Sequence, residues 1–168
     1  MLERLPQFVE PLHLAEVKGL LKGHVALADM RRLAPSLCNP EDQADVDLEF
    51  GKDAQRVPYM RGRIDARVTV VCQRCLQPLT LPLHTEPRLA LVTTPEAAET
   101  LPPHYEPLLV SAQPMRLADL VEDELLLALP IVPKHADEQC HAGVGRAAAR
   151  DAAPEKPFAA LARLKRKR

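Results

Sequence analysis

Cys72 and Cys75 lie three positions apart in "VVCQRCLQPLTLPL". That spacing lets two thiolates face one metal ion or form a redox pair. A redox pair of the thioredoxin kind opens a helix, whose N-terminal dipole lowers a thiol pKa. Here alternating strand-type residues precede the pair, and "LQPLTLPL" resumes strand alternation with prolines. Redox catalysis is therefore disfavoured. A structural zinc ion needs four ligands in a tetrahedron, so two more must come from elsewhere. "PKHADEQCH" offers His135, Cys140 and His141. Cys72, Cys75, His135 and Cys140 would complete a zinc site and pin the segment after the last helix to a strand turn. The second half-site, H-x4-C, is less regular than C-x2-C. Reduced thiols in a partly buried turn stand as the other reading.

Charged residues form the second set. Arg61, Arg63 and Arg67 share one strand face and together could track a phosphate backbone. The preceding strand offers Asp45, Asp47 and Glu49 on its own wet face. A hairpin centred near Asp53 sets Arg61 opposite Asp45, and the next hairpin sets Arg63 near Glu86. Cross-strand ion pairing is the favoured reading, with Arg67 left free. The chain ends "RLKRKR", where Arg163, Lys165, Arg166, Lys167 and Arg168 are cations. Such a cluster is either an RNA-binding arm or a solvated terminus. Arg74, between the cysteines, is a further candidate for RNA contact. In "MRLADLVEDELLLAL", residues Leu117, Leu120, Val121, Leu125, Leu127 and Ala128 cover one helical face. Glu124 falls near the centre of that face, whereas Asp119, Glu122 and Asp123 do not. A buried carboxylate needs a partner, and Arg74 or Arg32 could supply it.

The elements that must position these residues can be read from patterning. The chain has 168 residues, 46% of them hydrophobic, and a net charge of −1. It is long enough for one domain with a core, and it has no global pull toward polyanions. Seventeen prolines and six glycines predict short elements with many turns. Two short helical pieces are expected in 11–35, with "GHVAL" as a strand between them. Apolar residues alternate in "ADVDLEF", again from Tyr59 to Cys72, and then at Leu79, Leu81, Leu83, Leu89 and Leu91. This predicts an antiparallel meander with one buried and one wet face. "EPLLV" is a candidate edge strand, and 115–129 reads as a helix stopped by Pro130. The expected fold is α+β: a curved antiparallel β-sheet, open or closing into a partial barrel, with flanking helices. One domain spans 1–141; 142–168 is expected to be a flexible segment ending in the basic tail.

Several function classes are disfavoured. Five aromatics are too few for a base-stacking platform. The longest apolar run, Leu125 to Val132, contains a proline and is far short of the ~20 residues of a membrane span. The start of the chain does not read as a signal peptide, so a cytoplasmic protein with reduced cysteines is expected. No phosphate-binding loop, dinucleotide fingerprint or nucleophile elbow is present, so an enzyme is not expected.

The chain resembles the bacterial YceD family, the large ribosomal RNA subunit accumulation proteins. The resemblance is carried by "GRIDARVTVVCQRCLQPL", "LPPHYEPL", "DLVEDELLLALPIVPKHADEQC" and "PFAALARLKRKR", in that order. It implies a non-enzymatic role in synthesis, processing or stability of the large-subunit (23S) ribosomal RNA during ribosome biogenesis. The partner would be that RNA or its precursor, or a protein that handles it, with no membrane and no small-molecule substrate. Some relatives carry a richer cysteine cluster, and His135 and Cys140 fall where two of its cysteines would be. The tail and Arg67 and Arg74 are assigned to RNA on charge alone. A protein-binding adaptor without RNA contact and a zinc-dependent hydrolase are the rival readings.

Overall fold

The computed structural model describes residues 3–136 and Cys140. In chain order its elements are β1 (Glu3–Arg4), β2 (Phe8–Val9), α1 (Pro11–Val17), β3 (Leu20–Ala26), β4 (Gln43–Lys52) and β5 (Pro58–Val71). Next come β6 (Pro78–Thr85), β7 (Arg88–Val92), α2 (Pro95–Glu99), β8 (Glu106–Leu109), β9 (Met115–Arg116) and α3 (Leu117–Ala128). Seven strands make one open sheet, and β2 and β9 pair separately. The fold is α+β with a curved sheet, as expected, and the sheet does not close into a barrel. No helix among the described residues is long and apolar enough to cross a membrane.

Two-residue alternation dictates the centre. Along β4, Ala44, Val46, Leu48 and Phe50 are buried, and along β5 so are Met60, Ile64, Ala66, Val68 and Val70. α3 lies on this face and adds Leu117, Leu120, Val121 and Leu125 to the same core. Gly62 is required within β5, because a Cβ there would stand 2.1 Å from the Asp47 carbonyl oxygen. The β4–β5 hairpin pairs Lys52 with Pro58 and Glu49 with Arg61. Its centre is therefore near Gln55 and not Asp53. An even-numbered register error moves partners along the strand without exchanging faces, so the expected buried set holds although Arg61 does not face Asp45.

The third apolar stripe is not one meander strand. β6 pairs with Ile64–Val71 of β5, and β7 pairs with Tyr59–Arg61 on the same edge. The chain steps out at Glu86–Pro87, where the Pro87 carbonyl accepts the Gly62 N–H. β8 then adds in parallel to β7, and β1 in parallel to β3, so the sheet is mixed. The connection between β7 and β8 also contains α2, for which periodicity offers no signal. Its start is capped by Thr94, whose hydroxyl oxygen accepts the Ala97 N–H.

Residues 11–35 differ most from expectation. α1 stops early at the left-handed Lys18, and "LLKG" is drawn into β3 by pairing along β4. Tertiary pairing overrides the helical preference of leucine and lysine. "LADMRRLAP" forms two 3-10 turns, Leu27–Asp29 and Ala34–Ser36. Leu27, Met30 and Leu33 are all fully buried.

The reason lies on α3. Glu122, expected off the apolar face, is 1% exposed. Its Oε1 accepts the backbone N–H groups of Arg32 at 2.5 Å and Leu33 at 2.8 Å, and its Oε2 accepts the Arg32 Nε–H at 3.0 Å. One carboxylate thus satisfies the backbone of a non-helical loop. Arg32 also reaches Asp123. It does not partner Glu124, whose carboxylate accepts the Thr85 hydroxyl at 3.2 Å. Leu127, assigned to the apolar face, is 78% exposed.

Burial alone would raise the Glu122 pKa, but the Leu33 and Arg32 donors outweigh it and hold the group below its ordinary value. A depressed folded pKa gives stability that is present above the unfolded value, about 4.3, and is lost as pH falls through the folded one. Glu122→Ala should therefore lose about 3 kcal/mol at neutral pH. Its deficit against the wild type should shrink below about pH 4 in urea titrations run across pH.

Candidate metal centre

The centre begins where β5 runs out of partners. After Val71 the chain turns, and the Cys72 N–H donates to the Gln77 carbonyl at 2.9 Å, while the Leu76 N–H donates to the Cys72 carbonyl at 2.9 Å. Backbone N–H groups of Cys75 and Arg74 also point at the Cys72 sulfur. The turn therefore wraps its donors around the first sulfur before the second arrives. Closing it places Leu76 in the left-handed region, φ 59°, with its side chain 67% exposed.

A second arm meets this turn after α3. The Gln73 N–H donates to the Pro133 carbonyl at 2.9 Å, which docks residues 133–136 beside the cysteines. His135 Nδ1 lies 3.4 Å from Cys75 Sγ and 3.5 Å from Cys140 Sγ, and Cys72 Sγ lies 3.4 Å from Cys140 Sγ. All four donor atoms fall within 4.8 Å of one another. Zinc with Zn–S near 2.3 Å and Zn–N near 2.0 Å in a tetrahedron needs ligand-to-ligand edges of about 3.5–3.8 Å, so the set is close to size. The sequence-expected quartet is thus assembled, and a Cys3His group able to hold a metal ion is present.

The surroundings favour ligation. Cys72, Cys75 and Cys140 are 0%, 4% and 6% exposed. His135 turns its Nε2–H to the Pro78 carbonyl at 3.2 Å, which leaves the Nδ1 lone pair facing the thiols. Burial pushes the Cys72 thiol up, but the backbone N–H groups around it prevail and bring it down to about 5. Burial likewise opposes ionisation of Cys140, and hydrogen bonding from Arg74, with Cys75 and His135, brings its pKa below the ordinary thiol value. At Cys75 the Gln77 backbone favours the thiolate, but burial and the neighbouring sulfurs push the pKa up. Hydrogen bonds to Cys140 and Cys72 raise the His135 pKa. Three sulfurs this close repel one another once ionised, and a dication relieves that repulsion.

Sequence reasoning missed two participants. Pro78 contributes only a carbonyl, which carries no residue-type signal. Leu76 gives none either, since the left-handed position favours glycine and the chain has leucine there. Cys38, the remaining cysteine, is exposed and outside the group.

The cations are less collected. Arg61 pairs with Glu49 at 3.0 Å, and Arg63 pairs with Asp65, with Glu86 adding to its field. Arg67 is exposed opposite Pro82 and has no ion pair among the described residues. Arg74, grouped with the RNA contacts from sequence, is half-buried and turned inward, its Nη2–H donating to the His135 carbonyl at 3.0 Å. Arg163, Lys165, Arg166, Lys167 and Arg168, and the boundary expected at 141, lie outside the described residues.

The left-handed turn is open to a direct test. Leu76→Val puts a β-branched side chain at positive φ and should cost about 1–2 kcal/mol. Leu76→Gly should cost nothing measurable, since relief of strain offsets the added freedom of the unfolded chain. Urea denaturation of the two variants checks the contrast.

A family model described as the large ribosomal RNA subunit accumulation protein YceD matches residues 60–165, from β5 through the cysteine turn and α3. The chain is also 35% identical over 170 residues to the large ribosomal RNA subunit accumulation protein YceD of Haemophilus influenzae, with 98% of each protein covered. No solved structure matches the chain.

Proposed function

The chain belongs to the YceD family of large ribosomal RNA subunit accumulation proteins, and on that premise we propose that it promotes accumulation of 23S ribosomal RNA during ribosome biogenesis, as a non-enzymatic cytoplasmic factor. The observation that carries this reading is the end-to-end similarity to a protein named for that role. The factor acts by binding the RNA or its precursor. Arg67, exposed and without an ion pair among the described residues, and the cations of 163–168 grip phosphates. Such contacts are salt-dependent and insensitive to sequence, so the folded domain supplies selectivity through shape. Arg74, held at the cysteine cluster, belongs to the framework of that domain and not to its RNA-facing surface.

The Cys3His group holds one zinc ion in a structural role. Four protein ligands fill a tetrahedron and leave no open position for a substrate or an activated water. That speaks against the hydrolase reading. The ion ties the arm after α3 to the β5–β6 turn.

Crosslinking in cells followed by sequencing of bound RNA tests the main proposal, using the full chain and a form ending at Ala162. Recovery of large-subunit ribosomal RNA by the full chain and its loss on truncation are expected. Recovery by both forms moves the contact to the folded domain, with Arg67→Ala as the next variant. Recovery by neither shifts the reading to a protein-binding adaptor. The metal reading makes a separate prediction. Native mass spectrometry should find one zinc per chain, and stripping an ion worth about 4 kcal/mol should lower Tm by roughly 10 °C.

A further inference from the structure

A zinc ion bound by three thiolates and a neutral imidazole keeps one net negative charge. Here that charge is enclosed, because the three sulfurs belong to residues no more than 6% exposed. An uncompensated charge in such surroundings is costly, and an electron-rich thiolate is also the nucleophile that electrophiles attack. The centre therefore needs a cation beside it that cannot lose its proton.

We propose that Arg74 is that cation: its guanidinium neutralises the zinc–thiolate centre, shields the Cys140 sulfur, and so makes the site chemically inert. This rests on the zinc reading above and adds a role for a residue that ligates nothing. Two observations carry it. Arg74 lies inside the C-x-x-C turn, yet its Nη2–H donates to the carbonyl of His135, on the opposite arm, at 3.0 Å. The same guanidinium also favours the ionised form of the Cys140 sulfur. A side chain that starts in the first half of the ligand set thus reaches the second. Arginine suits the role because it stays charged in any protein setting and presents several donors in one plane. Lysine would supply the charge as a single point without the fork. A donor and a positive charge on Cys140 Sγ draw electron density off the sulfur and slow its attack on carbon.

The test uses the zinc-loaded full chain carrying Cys38→Ser, which removes the exposed thiol that would react first. Zinc content of this parent protein is measured before any further variant is made. If it holds no zinc, the metal reading fails and takes this proposal with it. With zinc in place, iodoacetamide is added in excess. The sulfur lone pair forms the S–C bond, iodide leaves, and the ion released from the thioether is tracked with a chelating dye. Arg74→Gln, which keeps a donor and loses the charge, should still bind one zinc but react about tenfold faster, with Cys140 alkylated first by mass spectrometry. Arg74→Lys should restore a rate near that of the parent. An unchanged rate in zinc-bound Arg74→Gln overturns the proposal. Equal acceleration in both variants also overturns it, since the bridge to His135 and not the charge would then matter. If Arg74→Gln loses its zinc altogether, Arg74→Lys decides: retained zinc with a parent-like rate supports the charge role, and lost zinc refutes it.

Discussion

Everything in this fold hangs on β5. It is the longest strand, and it receives β4 on one edge and both β6 and β7 on the other. Only glycine at residue 62 lets β4 come close enough, since the Asp47 carbonyl occupies the space any Cβ would need. The buried face of β5 then fixes the level at which α3 packs, and its end at Val71 fixes where the cysteine turn begins. A strand with fourteen residues and three strand neighbours leaves little freedom to the segments C-terminal to it.

Two polar devices hold the remaining parts to this frame, and they work by the same logic. Loops that cannot form secondary structure still have backbone groups to satisfy. Glu122 does so for the loop at Arg32 and Leu33, bringing a carboxylate from α3 into the core. At the other end, Gln73 and Pro133 join backbone to backbone, while His135 and Arg74 reach across in opposite directions, each to a carbonyl on the other arm. The cysteine cluster is therefore braced by polymer contacts as well as by the sulfurs, and a metal ion would close an arrangement already built around it.

The elements legible in sequence periodicity are those governed by one repeating rule. β4 and β5 alternate strictly, and their buried residues can be identified even with the hairpin centre placed two residues too early. α3 is bounded by its apolar spacing and Pro130. The illegible elements are those whose local preference loses to a distant partner. "LLKG" has helical leucines and lysine but joins β3 because β4 offers an open edge. Leu27 to Leu33 has helical spacing but forms turns because a carboxylate some ninety residues away supplies its acceptors.

By itself, the sequence determined the family, the α+β class, the buried faces of the central strands and the four residues that could form a Cys3His metal group. Each of these is a statement about residue type and spacing, which the chain carries in one dimension. Tertiary structure alone decided that the two half-sites meet, that Glu122 and not Glu124 is the anchored acid, and that Arg74 faces the sulfurs while Arg67 faces solvent. Each of these depends on the angle at which one element leaves another. Such angles are set by packing between residues far apart in the chain, where no local pattern records them.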